Sequence, residues 1–136
     1  MPRMTATDAA DLIFDAWCEA GDGGMTQAST LDEAGLTPSQ FGNGKEWLRD
    51  NLCLDKVMPF TFNPSTNRYY LNLESEQVEE YFLYRLRITA KQLRRLLDGT
   101  GGPAKIKFKG NRKMLRLFRN TDNILEDIND ILEGVV

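Results

Sequence analysis

Four side chains able to read hydrogen-bonding edges, Ser39, Gln40, Asn43 and Glu46, lie in the stretch LTPSQFGNGKEWLRDNL, residues 36–52. Asn and Gln amides match the hydrogen-bonding edge of adenine, and a Glu carboxylate accepts from the amino group of cytosine. Lys45 and Arg49, interleaved with them, suit phosphate oxygens. The chemistry on offer is therefore non-covalent recognition of a polar edge such as that of duplex DNA. Covalent chemistry finds no footing. The chain has no histidine, which removes the commonest general base and the commonest metal ligand. The acid pairs Glu79/Glu80 and Glu126/Asp127 are adjacent in sequence, so on a helix they do not converge on one substrate. No catalytic residue, metal site, cofactor or small-molecule ligand is expected. Cys18 and Cys53 lie in apolar surroundings and read as two buried thiols in a reducing, cytoplasmic compartment.

The stretch must be held on a helix for those side chains to share a face. Thr37 is a good N-cap, Pro38 stands at the first helical position, and Gln40 completes a capping-box pattern. Phe41, Gly44, Leu48 and Leu52 then fall on one face of a helix over 37–51 at roughly 100° per residue, with Trp47 beside them. Gly44 lets another backbone approach. Upstream, Thr7 can cap a first helix over 8–20 whose apolar side is Leu12, Ile13, Ala16, Trp17 and Ala20. Gly21-Asp22-Gly23-Gly24 reads as a turn, because no P-loop lysine follows it. Thr26 caps a short helix over 27–33, with Ala28 and Leu31 as apolar contacts, and Gly35 suits its left-handed end. Two short helices joined by a glycine turn make a helix-turn-helix unit. Residues 56–62 and 68–72 alternate as strands around the turn-rich Asn63-Pro64-Ser65-Thr66-Asn67, predicting a β-hairpin wing over 56–72. Asn67 and Arg68 of that wing are placed to touch a nucleic-acid backbone or minor groove.

Charge is distributed unevenly. Residues 1–84 hold five basic side chains against fourteen acidic ones; residues 85–119 hold twelve basic and one acidic, and the remainder five acids and no base. The acidic first part opposes DNA affinity, so the basic segment must supply phosphate contacts if DNA is bound. Lys105, Lys107 and Lys109 alternate with Ile106 and Phe108, as in a short strand or half-docked extended loop, and are the best candidates. Before them, Ser75 caps a long helix ending at Leu97, about 34 Å in length. Gly99-Thr100-Gly101-Gly102-Pro103 breaks it. A last helix over 112–133 keeps heptad spacing through Met114, Leu117, Thr121, Ile124, Ile128, Ile131 and Val135. Its basic first half and acidic second half would match an antiparallel partner. Ile124, Ile128, Ile131 and Val135 are the expected dimerisation contacts. No run approaches the ~18 apolar residues of a membrane span.

LTPSQFGNGKEWLRD, PFTFNPSTNRYYL and LYRLRITAKQLRRLLDGT together resemble RacP-type winged-helix proteins of actinobacteria and their mobile elements. The resemblance covers roughly residue 24 to the C-terminus and is strongest over 36–70. It implies a winged helix-turn-helix DNA-binding fold and says little about a target. The expectation is a mainly α chain with a small β-hairpin wing: a winged helix-turn-helix domain over 1–73 and a C-terminal helical dimerisation region over 74–136. The expected function is that of a homodimeric regulator of transcription or of a phage or other mobile element, reading double-stranded DNA with helix 37–51 and the wing. The competing expectation is a winged-helix protein-interaction module that does not bind DNA.

Overall fold

The computed structural model describes residues 3–71 and 74–134. The elements are α1 (Ala6–Ala20), a 3₁₀ turn (Gly21–Gly23), β1 (Met25–Thr26), α2 (Gln27–Ala34), α3 (Pro38–Trp47), α4 (Cys53–Asp55), β2 (Phe60–Asn63), β3 (Arg68–Leu71), α5 (Ser75–Leu96), α6 (Gly102–Lys107) and α7 (Arg112–Leu132). The chain is mainly helical, with one small antiparallel sheet and long C-terminal helices. It divides into two compact units, Met1–Tyr81 and Phe82–Val136, with the boundary inside α5.

The first unit is built on α1 crossing α3. Ala9, Ala10, Ile13, Ala16 and Trp17 of α1 are buried together with Phe41 and Gly44 of α3 and with Leu48. Gly44 is where the helices meet. A Cβ there would lie 2.7 Å from the Ala9 Cβ and 3.0 Å from the Ala10 nitrogen, so the crossing needs a residue without a side chain. Trp17 anchors the sheet to this pair. Its ring stacks on Tyr69 of β3 with centroids 4.9 Å apart and planes 6° from parallel. Burying one such large side chain is worth about 1.5–3 kcal/mol. Its Nε1–H donates to Thr30 Oγ1 at 3.0 Å, and that hydroxyl donates to the Thr26 carbonyl at 2.7 Å, so both buried polar groups are satisfied.

Several local expectations need correcting. Thr5, not Thr7, caps α1, because Asp8 at the third helical position returns the bond and closes a capping box. Ala28 is exposed on α2, and Cys18 is exposed on α1. The α geometry of the third helix ends at Trp47 and a π turn occupies Leu48–Leu52, where the Asn51 side-chain amide donates to the Trp47 carbonyl. The strand expected from residue 56 begins at Phe60. Amides 56, 57 and 58 are committed to the preceding helix end (Met58 N–H to the Cys53 carbonyl at 2.9 Å) and cannot join a ladder. The hairpin gains a third strand that the sequence did not announce: β1 pairs with β3, Met25 opposite Tyr69 and Thr26 opposite Arg68. Asn72, the expected end of the wing, lies outside the described residues.

The second unit departs more from expectation. The glycine-rich stretch does not break the helix but carries it on as a π turn over Leu97–Gly101, with the Gly102 N–H donating to the Leu97 carbonyl, into α6. Pro103, which has no N–H to donate, follows directly on this π turn in the first turn of α6. Residues 105–107 are therefore helical and the alternation of Lys105, Lys107 and Lys109 about Ile106 and Phe108 is not that of a strand; both apolar residues are exposed. Asn111 caps α7 by accepting from the Met114 N–H at 3.0 Å. Gly101 is buried, with the ring of Phe118 3.6 Å from where its Cβ would be.

Candidate nucleic-acid interface

The capping box on α3 forms as the sequence predicts, with Gln40 N–H donating to Thr37 Oγ1 at 3.2 Å and Thr37 N–H donating to Gln40 Oε1 at 3.0 Å. Forming it engages the carbonyl of Gln40, which is half-buried and so is a poorer reader than its sequence position indicates. Ser39, Asn43 and Glu46 are exposed and fall within about 60° of one another around the helix. Behind them Phe41, Gly44 and Leu48 hold the helix to the core. This is a rigid element presenting a small polar strip.

The cations of the first unit are placed differently. Lys45 does not join the polar strip: its Nζ lies 5.4 Å from the centroids of both the Phe41 and Tyr69 rings and donates to the Tyr69 hydroxyl at 3.5 Å. Arg49 Nε pairs with Asp50 Oδ1 at 3.2 Å on the surface. Arg68 donates through one nitrogen to the Gly23 carbonyl at 3.0 Å and the Gly24 carbonyl at 3.4 Å, which ties β3 to the turn after α1. Asn67 is exposed at the hairpin tip in a left-handed conformation, φ 55°, and Asn63 Oδ1 accepts from the Ser65 N–H at 2.9 Å to shape the same turn. The hairpin thus presents Asn67 as its outermost predicted contact, while much of the charge of Lys45, Arg49 and Arg68 is already engaged.

The second unit holds cations that make no ion pair among the described residues. Lys105 of α6 and Arg112, Arg116 and Arg119 of α7 line one open depression floored by Leu115. The three arginines recur at spacings of four and three, which a helix reading of 112–119 makes visible in the sequence. Their approach to Lys105 was hidden because residues 105–109 read as extended. The N-terminal end of a 21-residue helix adds partial positive charge at the same place. Lys107 and Lys109 are exposed and do not line the depression. Along α7, Ile124 and Ile131 are exposed and Ile128 is half-buried, whereas Val135 lies outside the described residues.

Burial pushes the Cys53 thiol up to about 11, with Arg49 acting against the rise, so at neutral pH it is protonated. Burial, and then the Asp15 carboxylate, also raises Cys18. Among the described residues no group of three His, Cys, Asp or Glu side chains converges to hold a metal ion, and no helix is long and apolar enough to cross a membrane. Comparison of the chain with protein-family models, with curated proteins and with solved structures gave no match.

Proposed function

We propose that this chain is a cytoplasmic winged-helix DNA-binding protein, a homodimeric regulator of transcription or of a mobile element, that reads duplex DNA with α3 and the β2–β3 hairpin. One observation carries the reading. Helix α3 is fixed by a complete capping box and a buried Phe41–Gly44–Leu48 face, and its opposite side offers the hydrogen-bonding groups of Ser39, Asn43 and Glu46 with no large apolar side chain among them. A helix entering a major groove needs that combination, since bulky apolar side chains would hold its polar groups off the base edges. In this reading Asn43 addresses adenine and Glu46 cytosine, while Asn67 of the hairpin meets the backbone. Phosphate neutralisation comes from the second unit, where Lys105, Arg112 and Arg119 have no carboxylate partner among the described residues.

A second reading, a winged-helix protein-interaction module, is favoured by a separate observation. Lys45, Arg49 and Arg68 are each already engaged within the first unit, which leaves its acidic surface short of free cations. Selection from a random duplex pool with the full chain decides between the two. The DNA reading expects an enriched sequence, and Asn43→Ala should weaken binding to that sequence by about 1–3 kcal/mol while sparing binding to unrelated duplexes. A pool that never enriches, measured at low salt, would overturn the DNA reading and leave the interaction module.

A further inference from the structure

Helix α7 carries two apolar strips, and only one of them is used within its own unit. Leu125 is buried, and Met114, Phe118, Ile128 and Leu132 on the same side are half-buried. Leu117, Ile124 and Ile131 are 62 %, 53 % and 43 % exposed. They follow one another at seven-residue intervals, which places them on one line about 21 Å long. Three large aliphatic groups in a row in water mark a contact surface.

Charge beside that line identifies the occupant. Lys113 and Arg116 flank its start, and Asp127 and Asp130 flank its end. None of the four makes an ion pair among the described residues. The chain's own neighbouring helix does not balance them, because α5 ends on Arg94 and Arg95, so basic residues stand on both sides of the connection to α7. The order is also wrong for the helix itself, whose dipole favours acids at the start and bases at the end. A second α7 running antiparallel satisfies all of this at once: basic turns meet acidic turns at both ends, and the apolar lines close on each other. A parallel copy would set basic turn against basic turn.

We infer that α7 pairs with α7 of a second copy of this chain, antiparallel and two-fold symmetric, through Leu117, Ile124 and Ile131. The two helices cross near Thr121 and Ile124, where the flanking polar groups, Asn120, Thr121 and Asn123, are all neutral. Lys113 and Arg116 of each copy then face Asp127 and Asp130 of the other. The inference gives the homodimer of the proposed function its face and direction; it uses no DNA contact, and sedimentation without DNA tests it apart from sequence selection by α3.

Sedimentation equilibrium of the full chain at tens of micromolar should show a dimer. Ile124→Asp should give a monomer with unchanged helical circular dichroism. The double variant Lys113→Glu with Arg116→Glu should weaken self-association about tenfold or more, and so should Asp127→Lys with Asp130→Lys. All four changes in one chain should restore the dimer, because reversing both ends of an antiparallel pair regenerates the complementarity. All five sites flank or form an exposed line, so circular dichroism of each variant separates lost pairing from lost folding. A wild-type monomer, charge variants that associate like wild type, or a fourfold variant that stays monomeric would each overturn the inference. The second of these results would point to a parallel pair or to another face, and the first to a different protein as the occupant.

Discussion

Two buried threonines show how differently the same side chain can be used. Thr30 stands between the Trp17 indole N–H and the Thr26 carbonyl and satisfies both. Thr61 on β2 is only 2 % exposed, and its hydroxyl has no hydrogen-bond partner among the described residues. A hydroxyl taken from water without a partner costs about 1–3 kcal/mol. Thr61→Val keeps the shape and removes that cost, so it should raise the urea midpoint, by about 1 kcal/mol of stability. Thr30→Val should lower it by about 1–3 kcal/mol, since it strands the Trp17 donor. A fall in midpoint for Thr61→Val would mean that the hydroxyl is bonded in solution.

At the scale of elements, the α1–α3 crossing sets how far the polar strip of α3 stands from the core. Gly44 permits the crossing, whereas a Cβ at Gly42 would meet nothing within 4 Å. The two glycines therefore predict opposite outcomes for the same substitution. Gly42→Ala should stabilise by up to about 1 kcal/mol, the helix-propensity gain. Gly44→Ala earns the same gain but must push α1 and α3 apart, and overpacking of that kind costs about 1–3 kcal/mol, so the net effect should be destabilising. Urea unfolding of the two variants checks the pair, and equal stabilisation by both would show that the helices are not held in contact. Because α3 would move with the crossing, Gly44→Ala should also weaken sequence selection more than Gly42→Ala does.

For the whole molecule, the proposed DNA binding sets a chain of net charge −3 against a polyanion. In that proposal one unit reads and the other neutralises. Each phosphate neutralised contributes about 0.9 to the log–log dependence of affinity on salt. Replacing Lys105, Arg112 and Arg119 with Gln leaves the exposed line of α7 intact and should lower that slope by up to about 2.7, weakening all duplexes alike. Sequence preference should survive, since the proposal assigns it to α3. An unchanged slope would show that the depression faces something other than DNA, and the interaction module would then account better for the basic segment.

What the sequence determined by itself was local and periodic. The Thr37 capping box, the Thr26 cap, Gly35 at a left-handed helix end (φ 66°) and the hairpin around residues 63–67 all depend on neighbours within a few positions, and each is present in the structure. Period also disclosed the apolar line and the charge order of α7. Tertiary structure decided what those signals could not carry. A two-residue strand such as β1 has no period to read and exists because Tyr69 and Arg68 offer it an edge. The fate of residues 97–107 turned on a π turn, which lets a helix absorb Gly-Gly-Pro where local propensity alone predicts a stop. That choice places Lys105 beside Arg112, Arg116 and Arg119, and not in a row with Lys107 and Lys109. Likewise, only packing shows that Lys45 rests on aromatic rings and that Gln40 serves the cap, because a helical wheel gives a side chain's direction but not what it finds there.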